Sequence, residues 1–131
     1  MFTRRHLFGA LALTAALALG SSASAMDKKP FDAKAFEAAQ AAGKPILIEV
    51  HAPWCPTCKA QEPILARLSK NTKFKDVVRF NIDFDSQKDL LRRFNARTQS
   101  TLIAFKGKQE VGRSAGDTNA ASIEGLLAKA I

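Results

Sequence analysis

The sequence predicts an α/β fold, a mixed sheet of about four strands with helices on both faces. Three observations carry that reading. Runs rich in β-branched residues, at Ile46 to His51, Val77 to Asp83 and Thr101 to Lys106, are separated by stretches with helical spacing, so strand-helix-strand units with parallel pairing follow. Gly107-Lys108 then turns the chain tightly into Gln109 to Arg113, which adds an antiparallel hairpin. The first strand is apolar on both faces apart from Glu49, the pattern of a central strand covered on both sides.

Taken in order, Met26 to Pro30 reads as a short polar lead. Phe31 to Ala42 is alanine-rich, sets Phe31, Ala35 and Ala39 at i, i+4 and i+8, and stops at Gly43, which predicts a helix. Lys44-Pro45 launches the strand Ile46 to His51. The helix that follows, Pro56 to about Asn71, contains Pro63, which removes a backbone hydrogen bond and should kink it; Ile64, Leu65 and Leu68 supply its inward stripe. After the strand Val77 to Asp83, Ser86 is the expected cap of a helix to Phe94 with Leu90, Leu91 and Phe94 inward. Asn119 to Ala130 closes the chain as an amphipathic helix built on Ile123, Leu126 and Leu127. No internal repeat or second domain is visible.

Residues 1–25 read as a signal peptide rather than part of the fold. Arg4 and Arg5 carry the positive charge, Leu7 to Gly20 is apolar, and Ala23-Ser24-Ala25 suits a small-residue cleavage site, leaving a domain over 26–131. Thr3-Arg4-Arg5-His6-Leu7-Phe8 also resembles a twin-arginine signal. The apolar run is short of the roughly 20 residues that cross a bilayer, so cleavage outweighs an uncleaved anchor. The expected location is periplasmic or secreted, an oxidising space. The formal charge of +8 falls to +6 once Arg4 and Arg5 are removed, and the basic residues are scattered without a dense run, so nucleic-acid binding is not supported. A mildly basic surface favours acidic protein partners.

The only two cysteines are Cys55 and Cys58, in Trp54-Cys55-Pro56-Thr57-Cys58-Lys59, at the turn from strand to helix. A thiol at the first turn of a helix faces free backbone N-H groups and the positive end of the dipole, which favour thiolate. Cys55 is therefore the lower-pKa sulfur, and Pro56 suits the first helical position. At i and i+3 the pair can close a disulfide without moving the backbone far. Two other readings stand beside redox chemistry: inert thiols, and a copper or zinc site using the pair with His51. A structural zinc site needs four ligands, and only His51 and His6 remain to supply histidine.

With these pieces in place the domain resembles the thioredoxin family, on Ala52-Pro53-Trp54-Cys55-Pro56-Thr57-Cys58-Lys59, Pro63, Asn81-Ile82-Asp83 and Thr101 to Gly107. The resemblance implies a thioredoxin fold, with Cys55 as attacking thiolate, Cys58 as resolving thiol and Trp54 packed beside the exposed sulfur. It also implies that Glu49 is a buried acid serving the resolving cysteine; burial should raise its pKa, while Arg79 on the neighbouring strand could pair with it instead. His51 shares the strand face of Glu49 and is expected as a packed histidine at the strand end. One departure matters. Where the family carries a cis-proline facing the cysteines, this chain has Ser100, ahead of Thr101. A cis bond there would cost about 2.5 to 4 kcal/mol, so a trans or strained loop is expected, with the hydroxyl able to reach Cys55.

The functional expectation is a thiol-disulfide oxidoreductase acting on protein thiols and disulfides, a monomer without a cofactor. Reduction is the favoured direction, because the Pro56-Thr57 pair resembles that of thioredoxin-like reductants and the domain has no helical insertion of the DsbA type. A reductant in that compartment implies a membrane electron donor. The rival from another class is a thioredoxin-like binding module that uses its disulfide only structurally.

Overall fold

The computed structural model describes residues 26–131, and the expected signal peptide lies outside the described residues. The elements run β1 (Lys29–Pro30), α1 (Ala33–Ala41), β2 (Pro45–His51), α2 (Pro56–Ser69), a 3-10 turn (Thr72–Phe74), β3 (Val78–Asp83), α3 (Lys88–Arg93), β4 (Thr101–Lys106), β5 (Gln109–Ala115) and α4 (Ala120–Ala128). They form one five-stranded sheet in the order β1-β3-β2-β4-β5. β1 and β2 pair with β3 in parallel, while β4 pairs antiparallel with both β2 and β5.

The mixed sheet matches the expectation with one strand more, the short β1. The lead segment is also less polar than it reads: Met26 is buried in the core with Leu47, Leu65 and Leu127. α1 is likewise rotated from its expected face. Asp32, not Phe31, precedes the helix and accepts a hydrogen bond from the Ala35 N-H at 2.8 Å, so Phe36 and Ala39 turn inward and Ala35 outward. Phe31 then folds back on Phe36 from outside the helix, their rings 5.4 Å apart. α3 starts at Lys88, later than expected, because the Asp83 carboxylate draws the Ser86 N-H into a turn instead of leaving Ser86 to cap.

β2 is the central strand, and its alternation divides the core. Ile46, Ile48 and Val50 join Phe36, Phe80, Leu91 and Phe94 on the face covered by α1 and α3. Leu47 joins Leu65, Leu68, Ile123 and Leu127 on the face covered by α2 and α4, which is therefore the face that receives Glu49. The hairpin turns at Gly107, φ +57°, and Gly112 lets α4 approach β5 so closely that an added Cβ would meet Leu126 Cδ1 at 2.8 Å. No helix among the described residues is long and apolar enough to cross a membrane.

Candidate active site

α2 springs directly from β2, and its N-cap is Cys55. The residue keeps extended backbone, φ −82° and ψ 111°, and its Sγ accepts the Cys58 N-H at 3.1 Å, with Pro56 at the first helical position. Both cysteines are free thiols. Cys55 is not the exposed sulfur the resemblance implies. It is 1% exposed, turned inward onto Ala52, Cys58 and the partly buried Phe84, because the cap hydrogen bond points the sulfur back over its own helix.

The third member is Ser100. Its Oγ lies 3.1 Å from Cys55 Sγ and 3.0 Å from Cys58 Sγ. The peptide before it is trans, since the described residues hold no cis bond, and its φ is +63°. That left-handed backbone is held by three hydrogen bonds: Ser100 N-H to the Val50 carbonyl at 2.8 Å, and the Ser100 carbonyl from the Gly116 N-H at 3.0 Å and the Gln61 amide at 3.1 Å. The expectation of a trans, strained loop with its hydroxyl at Cys55 therefore holds, and the hydroxyl reaches Cys58 as well.

These contacts separate the two thiols. Burial pushes the Cys55 thiol up, but hydrogen bonds from Cys58, Ser100 and the Cys58 and Thr57 backbone outweigh it, and the net shift is down. Cys58 is pushed up, first by burial and then by its hydrogen bond with Cys55. Pro56 and Thr57 act through backbone alone. Thr101 does not join them: its hydroxyl donates to the Thr98 carbonyl at 2.7 Å and stays within its own loop.

Glu49 is 1% exposed and tied to Arg79. Its Oε2 accepts from Arg79 Nε at 2.8 Å and lies 2.7 Å from Nη2, while Lys28 Nζ stands 3.8 Å from Oε1. Glu62 on α2 completes a quartet, 2.9 Å from Lys28 and 3.6 Å from Arg79. The expected burial and the expected pairing with Arg79 are both present. The ion pair is formed, yet burial outweighs Arg79 and Lys28, and its carboxyl stays above the ordinary carboxylate range. Neither Glu49 oxygen hydrogen-bonds a sulfur. His51 is half-buried at the end of β2, as a packed strand-end histidine; burial and the Lys28 charge lower its pKa, so the ring is largely neutral at pH 7. Among the described residues no group of three or more His, Cys, Asp or Glu side chains is placed to hold a metal ion, so His51 does not complete a site with the cysteines.

Trp54 is no core aromatic. It is 55% exposed, its indole N-H donates to Asp85 at 2.9 Å, and its ring meets Phe84 edge-on at 6.2 Å. Beside Phe84 a groove of about 450 Å³ opens, floored by Leu91 and Ala96 and flanked by Lys88, Arg92 and Arg97. Sequence reasoning missed Gln61, which is fully buried and bridges the carbonyls of Ser100 and Asp117 at 3.1 and 2.8 Å. The signal was present: Cys58, Gln61, Leu65 and Leu68 fall at helical spacing on one face, which marks Gln61 as a polar residue in the buried stripe. It missed Lys28 and Glu62 as well, and nothing local distinguishes those two from other surface charges.

A β2-to-α2 turn carrying two unequal thiols on a mixed sheet defines a dithiol protein for thiol-disulfide exchange. The family model for thioredoxin matches residues 27–129, and the chain belongs to the thioredoxin family. It is 33% identical over 90 residues to the thioredoxin Asp f 29 of Aspergillus fumigatus, covering 68% of this chain and 82% of that protein. Among solved structures, Trxlp from Edwardsiella tarda is 41% identical, with a TM-score of 0.74, over 76% of this chain and 97% of that one. Reduced Schistosoma mansoni thioredoxin pre-protein is 25% identical, TM-score 0.64, over 79% and 96%. The protein is a protein-disulfide oxidoreductase of the thioredoxin type.

Proposed function

We propose that the protein is an exported reductant of protein disulfides. The observation that carries the exchange roles is the helix-start N-H of Cys58 and the Ser100 hydroxyl, each 3.1 Å from Cys55 Sγ, which pull the Cys55 thiol down while burial pushes Cys58 up. Cys55 thiolate attacks a substrate disulfide; a new S-S bond forms to one substrate sulfur, the old S-S bond breaks, and the other sulfur leaves as a thiolate that takes a proton from water. Cys58 then loses its proton and attacks Cys55, which releases the second substrate sulfur and leaves Cys55-Cys58 oxidised by two electrons. Glu49, on the α2 side of β2 and raised by burial above its ordinary value, is the base that receives the Cys58 proton.

Reduction is supported by the Pro56-Thr57 pair and by the segment between Asp83 and Thr101, which carries a single six-residue helix and no inserted domain. Export is supported by Arg4-Arg5, the apolar Leu7 to Gly20 and Ala23-Ser24-Ala25. The flanking Lys88, Arg92 and Arg97 favour substrates that are acidic around their disulfide. The deciding experiment is the reduction potential of the Cys55-Cys58 couple against defined thiol-disulfide buffers. A value near about −270 mV supports a reductant, and one near about −120 mV overturns that direction and makes the protein an oxidant.

A further inference from the structure

A serine hydroxyl donates one hydrogen bond and accepts others, which a proline cannot do. Ser100 Oγ stands between two sulfurs, 3.1 Å from Cys55 and 3.0 Å from Cys58, and all three residues are 1% exposed. In the singly ionised dithiol, one thiol proton and one hydroxyl proton are shared among three heavy atoms. One chain of hydrogen bonds satisfies them all, running from one S-H to Oγ and from O-H to the other sulfur as thiolate, in competition with a direct S-H to sulfur bond between the two cysteines. The direction of that chain is set outside it, because the helix-start N-H of Cys58 is donated to Cys55 Sγ at 3.1 Å.

We propose that Ser100 is the positioning residue that assigns the proton of the dithiol, its one hydroxyl accepting from the Cys58 thiol and donating to the Cys55 thiolate. The inference rests on exchange at Cys55 and Cys58 and applies in either direction of electron flow. The hydroxyl is placed independently of the sulfurs, since Val50, Gly116 and Gln61 fix the Ser100 backbone. When Cys55 enters a disulfide its negative charge is gone and the anionic acceptor disappears. The bridge therefore belongs to the reduced state, and it makes the couple more oxidising than the same protein without the hydroxyl. The other ionisable groups facing it from the surrounding elements are Glu49 and His51 on β2, Lys59 and Glu62 on α2, Arg79 and Asp83 on β3, Asp85 after it, Arg97 before β4 and Asp117 after β5. None of them hydrogen-bonds either sulfur.

The test compares Ser100→Ala and Ser100→Gly with the unchanged protein. Both remove the hydroxyl, but glycine accepts φ +63° freely and alanine does not, so a backbone effect separates the two and a hydroxyl effect does not. Thiolate ultraviolet absorbance against pH should show the Cys55 midpoint raised by about one pH unit in both variants, a tenfold lower thiolate fraction below it. Equilibration with glutathione above that midpoint should move about tenfold toward the disulfide, or about 30 mV more negative. Midpoints within about 0.3 unit of the unchanged protein in Ser100→Gly, alone or with Ser100→Ala, overturn the assignment. Ser100→Gly decides the matter if the alanine variant does not fold. Failure of the unchanged protein to cycle between dithiol and disulfide would instead remove the exchange reading itself.

Discussion

Replacing Arg79 by methionine isolates what the buried ion pair does. Glu49 and Arg79 side chains are 1% and 5% exposed, and Arg79 gives the carboxylate its closest contacts, at 2.8 and 2.7 Å. Removing one partner of such a pair costs about 3 to 5 kcal/mol, because the other charge stays buried. Lys28, 3.8 Å away and 31% exposed, can follow the carboxylate and screen part of that loss, so the lower end, about 3 kcal/mol, is the expectation at neutral pH.

The sign with pH is fixed by Glu49, whose folded pKa lies above its unfolded value. Such a group contributes stability that is fully present below the unfolded pKa and is lost as pH rises through the folded one. Arg79→Met removes the largest lowering influence, so the folded pKa climbs further and the loss runs deeper and to higher pH. At about 1.4 kcal/mol per unit, a 3 kcal/mol cost corresponds to about two further units. The penalty relative to the unchanged protein should therefore be small near pH 4, where Glu49 is mostly protonated in both, and largest at pH 8. Urea unfolding of the reduced protein, followed by the single tryptophan Trp54, reads this directly. With m of roughly 1 to 3 kcal/mol/M the midpoint at pH 8 should fall by about 1 to 3 M, and the Glu49→Gln, Arg79→Met double variant should recover most of it. A loss that is equal at pH 4 and pH 8, or below about 1 kcal/mol at pH 8, would refute the coupling.

Other outcomes follow from the same geometry. Glu49→Gln should slow resolution of the mixed disulfide by about a hundredfold while leaving attack by Cys55 nearly unchanged, as stopped-flow single turnovers would separate. Cys58→Ser should accumulate mixed disulfides with substrate proteins, visible on non-reducing gels, whereas Cys55→Ser should form none. Gln61→Leu strips hydrogen bonds from the buried carbonyl of Ser100 and from that of Asp117 and should lower stability by about 1 to 3 kcal/mol in urea. Gly112→Ala drives a methyl to 2.8 Å from Leu126 and should cost about 1 to 3 kcal/mol without altering the thiol titration.

The succession of the longer strands and helices along the chain is legible because each rests on local periodicity. β2 announces itself by apolar residues on both faces, and α4 by Ile123, Leu126 and Leu127. The misread pieces turn on side-chain hydrogen bonds that compete with that periodicity. Asp32 takes the cap of α1 and rotates its face, and Asp83 takes the Ser86 N-H that a capping serine would have left free. β1 escapes detection because two residues carry no period; its pairing with Phe80 and Asn81 exists only once β3 is in place. In the site, Cys55, Cys58, Glu49 and Ser100 are legible from the motif and its departure. Lys28 and Glu62 are not, since the fold alone brings residues so far apart in sequence to one buried carboxylate.

Ser100 shows how one substitution joins packing to chemistry. A polar group at a position this deeply buried costs free energy unless it is hydrogen-bonded. Its backbone partners, Val50, Gly116 and Gln61, are spent on the N-H and the carbonyl, which leaves the hydroxyl dependent on the two sulfurs. A thiol is a weak partner and a thiolate a strong one, so satisfying the hydroxyl and ionising Cys55 are one event. The loop that a proline would make rigid by its ring is here held by hydrogen bonds, two with backbone, one from the Gln61 side chain and two to sulfur, and by the proposed proton assignment the last two change each time the dithiol is oxidised.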